Sequence, residues 1–587
     1  MIQEKLGEIL PKDGINPPVV LALACSSAAA IVIWKWMTHK GIQRKMDEAR
    51  QWRDDSLEQM EKVIWKFKQK NPEVQSEFIL SLPLVELAEK LKEESLSPES
   101  VLFTYISRAL QVTREVNCVT DFIHGCEQQL QEVKKQKEKG LLYGIPVSIK
   151  DHIGCKGHIS TGGLVQFLNK VEEDDSVIVK VLKKQGAIPF VKTNVPQSMI
   201  NYDCSNLIFG QTVNPLNHKK SPGGSSGGEG ALIAGGGSIL GFGTDVAGSI
   251  RLPSSFCGLC GLKPTGGRLS FVGLESPIAG MKSVTTAIGP MAKDVDSLAL
   301  CMKALLCDEL FHLDHSVPPM PFKEEVYTST KPLRIGYYED DGYFQPSPSM
   351  RRAVQETKNL LQAAGHTLIA FVPPRLNYVV DELFTRGLFS DGAATLVDKF
   401  KGDIVDPNLK SQVNCYSIPI LLKRILAFVL KPVYPRIARD LNALCGVGSA
   451  QNLWKHHMAI EIYGQEFLAE WRKLKLDVVL CPVLGPAFNE GYPGKLFAAT
   501  SYTNLYNVLN FPAGVVPVTT VTRADEEELK HYRGHYRDPW DKRLKEAVEG
   551  AVGLPVAVQC VALSWQEEMC LRLMKEVEIV VHRRTTA

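Results

Sequence analysis

The chain has 587 residues, more than one ordinary hydrophobic core but within reach of one large α/β domain with an appendage. A hydrophobic fraction of 44% excludes both a wholly disordered chain and a polytopic transporter. Lys and Arg number 67 against 65 Asp and Glu, so a net charge of +2 gives no global attraction to nucleic acid, and none is expected as a partner.

Residues 1–16 read as an N-terminal tail in which acidic and basic residues nearly cancel. From Pro17 to Trp34 the chain runs PPVVLALACSSAAAIVIW without a charge, about the shortest stretch that spans a bilayer as a helix. Lys35, Lys40, Arg44 and Lys45 follow, so the positive-inside rule turns the C-terminal bulk toward the cytosol. A transmembrane helix over 17–36 is therefore expected, in a single-pass protein. A signal peptide is the competing reading, because small residues occupy 26–30. The apolar run continues through Ile31, Val32, Ile33 and Trp34, which a cleavage site would end. Fourteen cysteines are too sparse for a disulfide framework and fit a reducing compartment. Cys257 and Cys260 have CxxC spacing, but no second pair or nearby His completes a zinc site.

Residues 37–95 form a helical region. Trp52, Leu57, Met60, Val63, Ile64 and Phe67 recur at helical spacing up to about residue 75, and a second helix runs from Leu84 to Glu94. Ser97 caps another helix, with Pro98 at its first position. Strand and helix signals then alternate. Ile145, Val147 and Ile149 predict a strand; Asp175 or Ser176 opens a helix that stops at Gly186; Ala187–Val191 is the next strand. This rhythm predicts an α/β fold with a mixed or mostly parallel sheet covered by helices.

Glycine and serine concentrate between Ser221 and Gly267. That density costs backbone entropy, yet apolar stretches lie between the glycines, so a flexible linker is a poor reading and a site a good one. A phosphate loop is excluded because no Lys-Ser/Thr ending follows the glycines. Gly223–Gly227 satisfies G-x-S-x-G, but the residues before it, Asn217 to Pro222, are polar rather than a buried strand.

Six longer stretches carry a resemblance. They are YGIPVSIKD at 143–151, FVKTNVPQSM at 190–199, SPGGSSGGEGALI at 221–233, GTDVAGSIRLPSSFCGLCGLKPT at 243–265, FPAGVVPVTTV at 511–521 and GLPVAVQCVAL at 553–563. Through them the sequence resembles the amidase-signature family, and within it the membrane-bound fatty-acid amide hydrolases. The resemblance implies a catalytic domain over 96–580 with a mixed twisted sheet. It also implies hydrolysis of fatty-acid primary amides and N-acylethanolamines such as oleamide and anandamide, a homodimer, and no metal or organic cofactor. Membrane lipid and the fatty-acid amide itself are the implied partners, and an endomembrane such as the endoplasmic reticulum is the expected location.

By the same resemblance Lys150 matches the base, Ser225 a bridging serine held by a cis peptide bond, and Ser249 the nucleophile. The backbone amides of Val246, Ala247, Gly248 and Ser249 match the oxyanion hole, Met199 lines the site, and Ser226, Thr244 and Arg251 support it. The chemistry is coherent. A serine hydroxyl needs a neighbouring base, and lysine is a base only when its pKa is drawn down from about 10.4. One residue departs from the family pattern: Ala247 stands where Gly is common, and a positive φ there would strain its methyl group. A membrane-associated scaffold with weakened catalysis is the alternative, with Ala247 in its favour.

Ile418–Asn442 reads IPILLKRILAFVLKPVYPRIARDLN. Lys423, Arg424, Lys431 and Arg436 interrupt it too often for a span. It suits an interfacial helix whose basic residues reach lipid headgroups, a membrane-binding cap over 418–442.

Overall fold

The computed structural model describes residues 17–586; the expected tail over 1–16 lies outside them. Thirteen strands occur among the described residues: β1 (Val119–Phe122), β2 (Pro146–Lys150), β3 (Ile188–Thr193), β4 (Ser205–Asn206), β5 (Gly210–Gln211), β6 (Leu240–Asp245), β7 (Cys260–Lys263), β8 (Ala287–Ala292), β9 (Arg334–Tyr337), β10 (Thr367–Ala370), β11 (Val478–Pro482), β12 (Ala513–Thr520) and β13 (Pro555–Val561). Eleven of them form one sheet in the order β1-β3-β2-β6-β8-β7-β12-β13-β11-β9-β10, and β4 pairs with β5 apart from it.

The sheet is mixed rather than mostly parallel. Parallel pairings lie toward both flanks, β3-β2-β6 on one side and β11-β9-β10 on the other, with β1 added antiparallel to β3 at the first edge. The six strands between them, β6 to β11 in the sheet order, pair antiparallel throughout. The strand-helix alternation read near residues 145–191 belongs to the parallel flank, where Ser176 precedes the Val177–Lys184 helix and β3 follows it. Ser97 caps the Pro98–Val116 helix by accepting from the Ser100 N–H, as its position before Pro98 predicts.

Parallel neighbours end at the same edge of a sheet, which is where such folds place their ligands. Ile149 of β2 is in register with Phe242 of β6. Lys150 and the Thr244–Asp245 end of β6 therefore emerge side by side.

Where two N-terminal elements were expected, one helix runs from Pro17 to Lys70. Its distal half is part of the body. Met46 and Ala49 pack with Val165, Leu168, Ile208 and Phe209, and Met60 and Ile64 enter the main core. Arg50 fixes the contact by donating to the Leu207 and Ile208 carbonyls at 2.6 and 2.9 Å. From Cys25 to Lys40, by contrast, every side chain is exposed. Among the described residues no single helix is long and apolar enough to cross a membrane. The Pro407–Ser417 and Ile420–Leu430 helices reach that length and composition only as a pair bent by 95°.

The stretch from 418 to 442 is two helices, Ile420–Leu430 and Pro435–Ala443. Here the expectation of four headgroup-facing cations needs correction. Arg424 and Lys431 are exposed, but Lys423 and Arg436 are buried. Lys423 Nζ donates to the carbonyls of Tyr416 (2.9 Å) and Leu444 (3.2 Å). Arg436 is paired with Asp538 (2.6 Å) and Asp541 (3.0 Å) and packed against Phe344, Tyr536 and Trp540. A fully buried guanidinium needs such partners, and two aspartates supply them. These cations tie the two helices to the body. The opposite face leaves Leu421, Ile425, Phe428, Val429 and Val433 exposed, Phe428 to 81%.

Candidate active site

The glycine-serine segment folds as loop, helix, strand and turn around the end of β6. Residues 221–224 have no strand character, and the Gly227–Ala234 helix begins just after Ser226. The G-x-S-x-G match is thus not a strand-to-helix elbow. The Gly224–Ser225 peptide is cis.

Lys150 is fully buried at the end of β2. Its Nζ lies 2.7 Å from Ser225 Oγ and 3.0 Å from Thr244 Oγ1. Burial draws its ammonium down to about 7, although the Asp245 and Glu229 carboxylates nearby oppose the shift. Burial also lifts the Glu229 carboxyl to about 8, against hydrogen bonds from Ser148 (2.5 Å) and Thr193 (2.8 Å). Ser225, Ser249, Thr244, Val246 and Met199 all line one cavity of about 690 Å³. Ser249 Oγ makes no hydrogen bond to protein among the described residues. It lies in that cavity with Ser225, a common arrangement before substrate tightens catalytic contacts.

The turn from Asp245 to Arg251 is held by a buried ion pair. Burial would raise the Asp245 carboxyl, but the Arg251 guanidinium overrides it and holds the group well below the usual carboxylate range. Arg251 Nε and Nη2 each donate to Asp245 at 2.9 Å. The rest of the guanidinium donates to Thr503 O, Gln559 Oε1 and Asn507 Oδ1. Asp245 in turn accepts from the backbone N–H of Gly248 (2.7 Å) and Ile250 (3.1 Å). One carboxylate thus shapes the whole turn that carries Ser249. Sequence reading found Arg251 without this partner, which lies only six residues before it.

The Gly248 N–H, expected to face a substrate oxygen, is engaged by Asp245. Among the described residues, the amides of Val246, Ala247 and Ser249 have no protein acceptor. Donors left unpaired at the edge of a cavity are free to meet a ligand oxygen there. Ala247 is not among the residues with positive φ, so its methyl group is not strained and its N–H is retained. Gly248 does need to be glycine: its φ is +125°, and a Cβ there would stand 2.6 Å from Thr503 Oγ1 and 2.9 Å from Leu252 Cγ. Ser226 braces the same turn. Its N–H donates to Ser249 O (3.2 Å), and its Oγ faces the Thr244 backbone.

Breaking the ion pair tests this account. Arg251→Met leaves Asp245 buried without its cation, which costs about 3–5 kcal/mol of stability. A denaturant titration in detergent should show that loss; a change below about 1 kcal/mol would mean that the turn stands without the pair.

Met199, Val246, Ala247 and Ser249 also border a narrow constriction with Tyr202, Leu252, Phe497 and Thr500. Phe497 lines a further cavity of about 200 Å³ with Phe389, Tyr416, Leu441 and Trp540. Ser249 therefore lies between a wide cavity and Phe497, behind which the smaller cavity, lined also by Gln412, Asp440, Lys495 and Arg543, lies against the Pro435–Ala443 helix. Cys257 and Cys260 are free and buried, and Cys257 Sγ contacts Pro222 O; among the described residues no cluster of metal-ligating side chains occurs.

Comparison with known proteins shows the family. The family model described as Amidase matches residues 100–571. Fatty-acid amide hydrolase 1 of Sus scrofa is 52% identical over 98% of this chain and 98% of its own length. Vitamin D3 hydroxylase-associated protein of Gallus gallus is 72% identical over 78% of this chain and 99% of its own. A solved structure of a fatty acid amide hydrolase superposes with a TM-score of 0.78 at 25% identity, covering 93% of this chain and 96% of that one. A family model spanning most of the chain, and relatives this similar over nearly their whole length, leave one conclusion. The chain belongs to the amidase family and is an enzyme that hydrolyses amide bonds.

Proposed function

We propose that this protein is a membrane-attached serine hydrolase that cleaves fatty-acid primary amides and N-acylethanolamines, oleamide and anandamide among them, to free fatty acid and ammonia or amine. The observation that carries the reading is the buried Lys150 Nζ, 2.7 Å from Ser225 Oγ in the cavity that Ser249 lines. Neutral Lys150 takes the Ser225 proton as Ser225 takes that of Ser249, and Ser249 Oγ attacks the amide carbon. The N–H groups of Val246, Ala247 and Ser249 stabilise the tetrahedral oxyanion. The proton returns through Ser225 to the departing nitrogen, and water then hydrolyses the acyl-enzyme.

The names of the pig relative and of the superposed structure support the fatty-acid part of the reading. So do two sets of apolar side chains, those exposed on the Ile420–Leu430 helix and, beside Ser249, Phe497, which also lines the cavity of Phe389, Leu441 and Trp540; the tail's path would join them. An acyl tail drawn along it gains about 0.8 kcal/mol per buried CH₂. The uncharged Pro17–Trp34 run and the cations after it support a single-pass anchor with a cytosolic body in the endoplasmic reticulum or another endomembrane. In a homodimer both apolar faces would meet one membrane.

One experiment with two arms tests the reading. The full-length protein in vesicles should release ammonia from oleamide and leave acetamide nearly untouched. Leu421→Glu with Phe428→Glu, both on the exposed face, should raise KM for vesicle-borne oleamide severalfold while sparing kcat. Equal turnover of acetamide would overturn the lipid substrate. A second reading, a membrane protein that accompanies another enzyme, is favoured by the name of the chicken relative. It is distinguished by turnover of the wild-type protein: a scaffold with weakened catalysis would release little ammonia from oleamide and label slowly with a fluorophosphonate.

A further inference from the structure

His152 lies two residues beyond Lys150, buried, on the wall of the cavity that Ser225 and Ser249 line. Its Nδ1 is 2.7 Å from the Glu275 backbone carbonyl and its Nε2 is 2.8 Å from Thr244 Oγ1. A carbonyl oxygen only accepts, so Nδ1 carries a proton. In the neutral ring Nε2 is then an acceptor, and the Thr244 hydroxyl must donate to it. The Thr244 oxygen is left to accept from Lys150 Nζ at 3.0 Å.

A neutral lysine amine has two N–H groups and one lone pair. One N–H is committed to Thr244 Oγ1, and the Thr244 carbonyl lies 3.5 Å from Nζ for the other. The lone pair therefore faces Ser225 Oγ at 2.7 Å, in the direction from which a proton has to arrive. Were the ring doubly protonated, Nε2 would donate to Thr244. The Thr244 hydroxyl would then turn its hydrogen onto Lys150 and occupy the lone pair that Ser225 needs.

We infer that His152 is a positioning residue, a neutral imidazole that orients the Thr244 hydroxyl and through it aims the Lys150 lone pair at Ser225. The inference rests on the proposed Ser249–Ser225–Lys150 relay. The charged groups that act on the ring are Lys150 and Lys192, both cationic when protonated. Together with burial, which is the larger cause, they hold the imidazolium down to about 3, so the ring stays neutral at any working pH. His152 belongs to the segment after β2 and Glu275 to the loop before β8, so the ring also ties one cavity wall to the strand that carries the lysine.

The test is the rate of fluorophosphonate labelling against pH for wild type, His152→Ala, His152→Gln, Thr244→Val and Lys150→Ala. His152→Ala should slow labelling about tenfold to a hundredfold and move the acid limb up by about one pH unit, as water reaches the amine. Thr244→Val should reproduce the loss. His152→Gln, whose amide oxygen can accept from Thr244, should recover most of the rate. Wild-type rate and limb in His152→Ala would overturn the inference, as would a Gln variant no better than Ala while Thr244→Val labels normally. Labelling unaffected by Lys150→Ala would sink the relay itself, a separate failure. If His152→Ala does not fold, His152→Leu, which keeps bulk but has no acceptor for the Thr244 hydroxyl, carries the same test against His152→Gln.

Discussion

Ser249→Ala is expected to lower kcat by on the order of 10⁴- to 10⁶-fold and to abolish fluorophosphonate labelling, with folding unchanged. The side chain is a cavity-lining hydroxyl that makes no hydrogen bond to protein, so its removal costs no buried contact. What it removes is the atom that would carry the acyl group. The hole and the Lys150–Ser225 pair would remain, and together they account for the residual rate over water. Because Asp245 and Arg251, rather than Ser249, shape the turn, the variant should keep the wild-type denaturation midpoint. A variant that stays folded and still labels would place the nucleophile elsewhere. Ser225 would be the first alternative, being the serine hydroxyl in that cavity that Lys150 touches.

How much of this was legible in the sequence differs from residue to residue. Lys150, Ser225 and Ser249 lie in long motifs whose glycines have a physical reason to be there, as the cramped Gly248 illustrates. Asp245 and His152 were not legible as site residues. Asp245 matters through one guanidinium and three backbone amides, and His152 through a carbonyl 123 residues away in the loop before β8. No local pattern encodes such a partner. The sheet divides in the same way. The parallel flank of β2 and β3 shows in nearby alternation, whereas β12 and β13 reach their neighbours β7 and β11 across long stretches of chain. The cap misled for a related reason: Lys423 and Arg436 look like headgroup contacts until the carbonyls and the distant Asp538 and Asp541 that receive them are known. Ala247 erred the other way. Its methyl group raised a doubt that a negative φ removes.

The second large effect concerns Lys150 and pH. With an ordinary pKa, only about one lysine in 2,500 would be neutral at pH 7. Drawn down to about 7 by burial, half of the Lys150 amines are neutral there. The sign follows directly. The base works when neutral, so kcat/KM should fall about tenfold per pH unit below 7 and level off above it. The opposing carboxylates refine the expectation. Asp245 raises the Lys150 pKa, but its charge is tied to Arg251; Glu229, lifted to about 8, is largely protonated at pH 7 and so leaves the lysine free to lose its proton. Lys150→Ala should lower kcat by about 10³- to 10⁴-fold and erase the acid limb, since no titrating base remains. Measured across pH 5–9 with oleamide, a limb centred near 7 that vanishes in Lys150→Ala assigns it to this amine. A limb that persists in Lys150→Ala would belong to another group, and the 2.7 Å contact with Ser225 would then be structural.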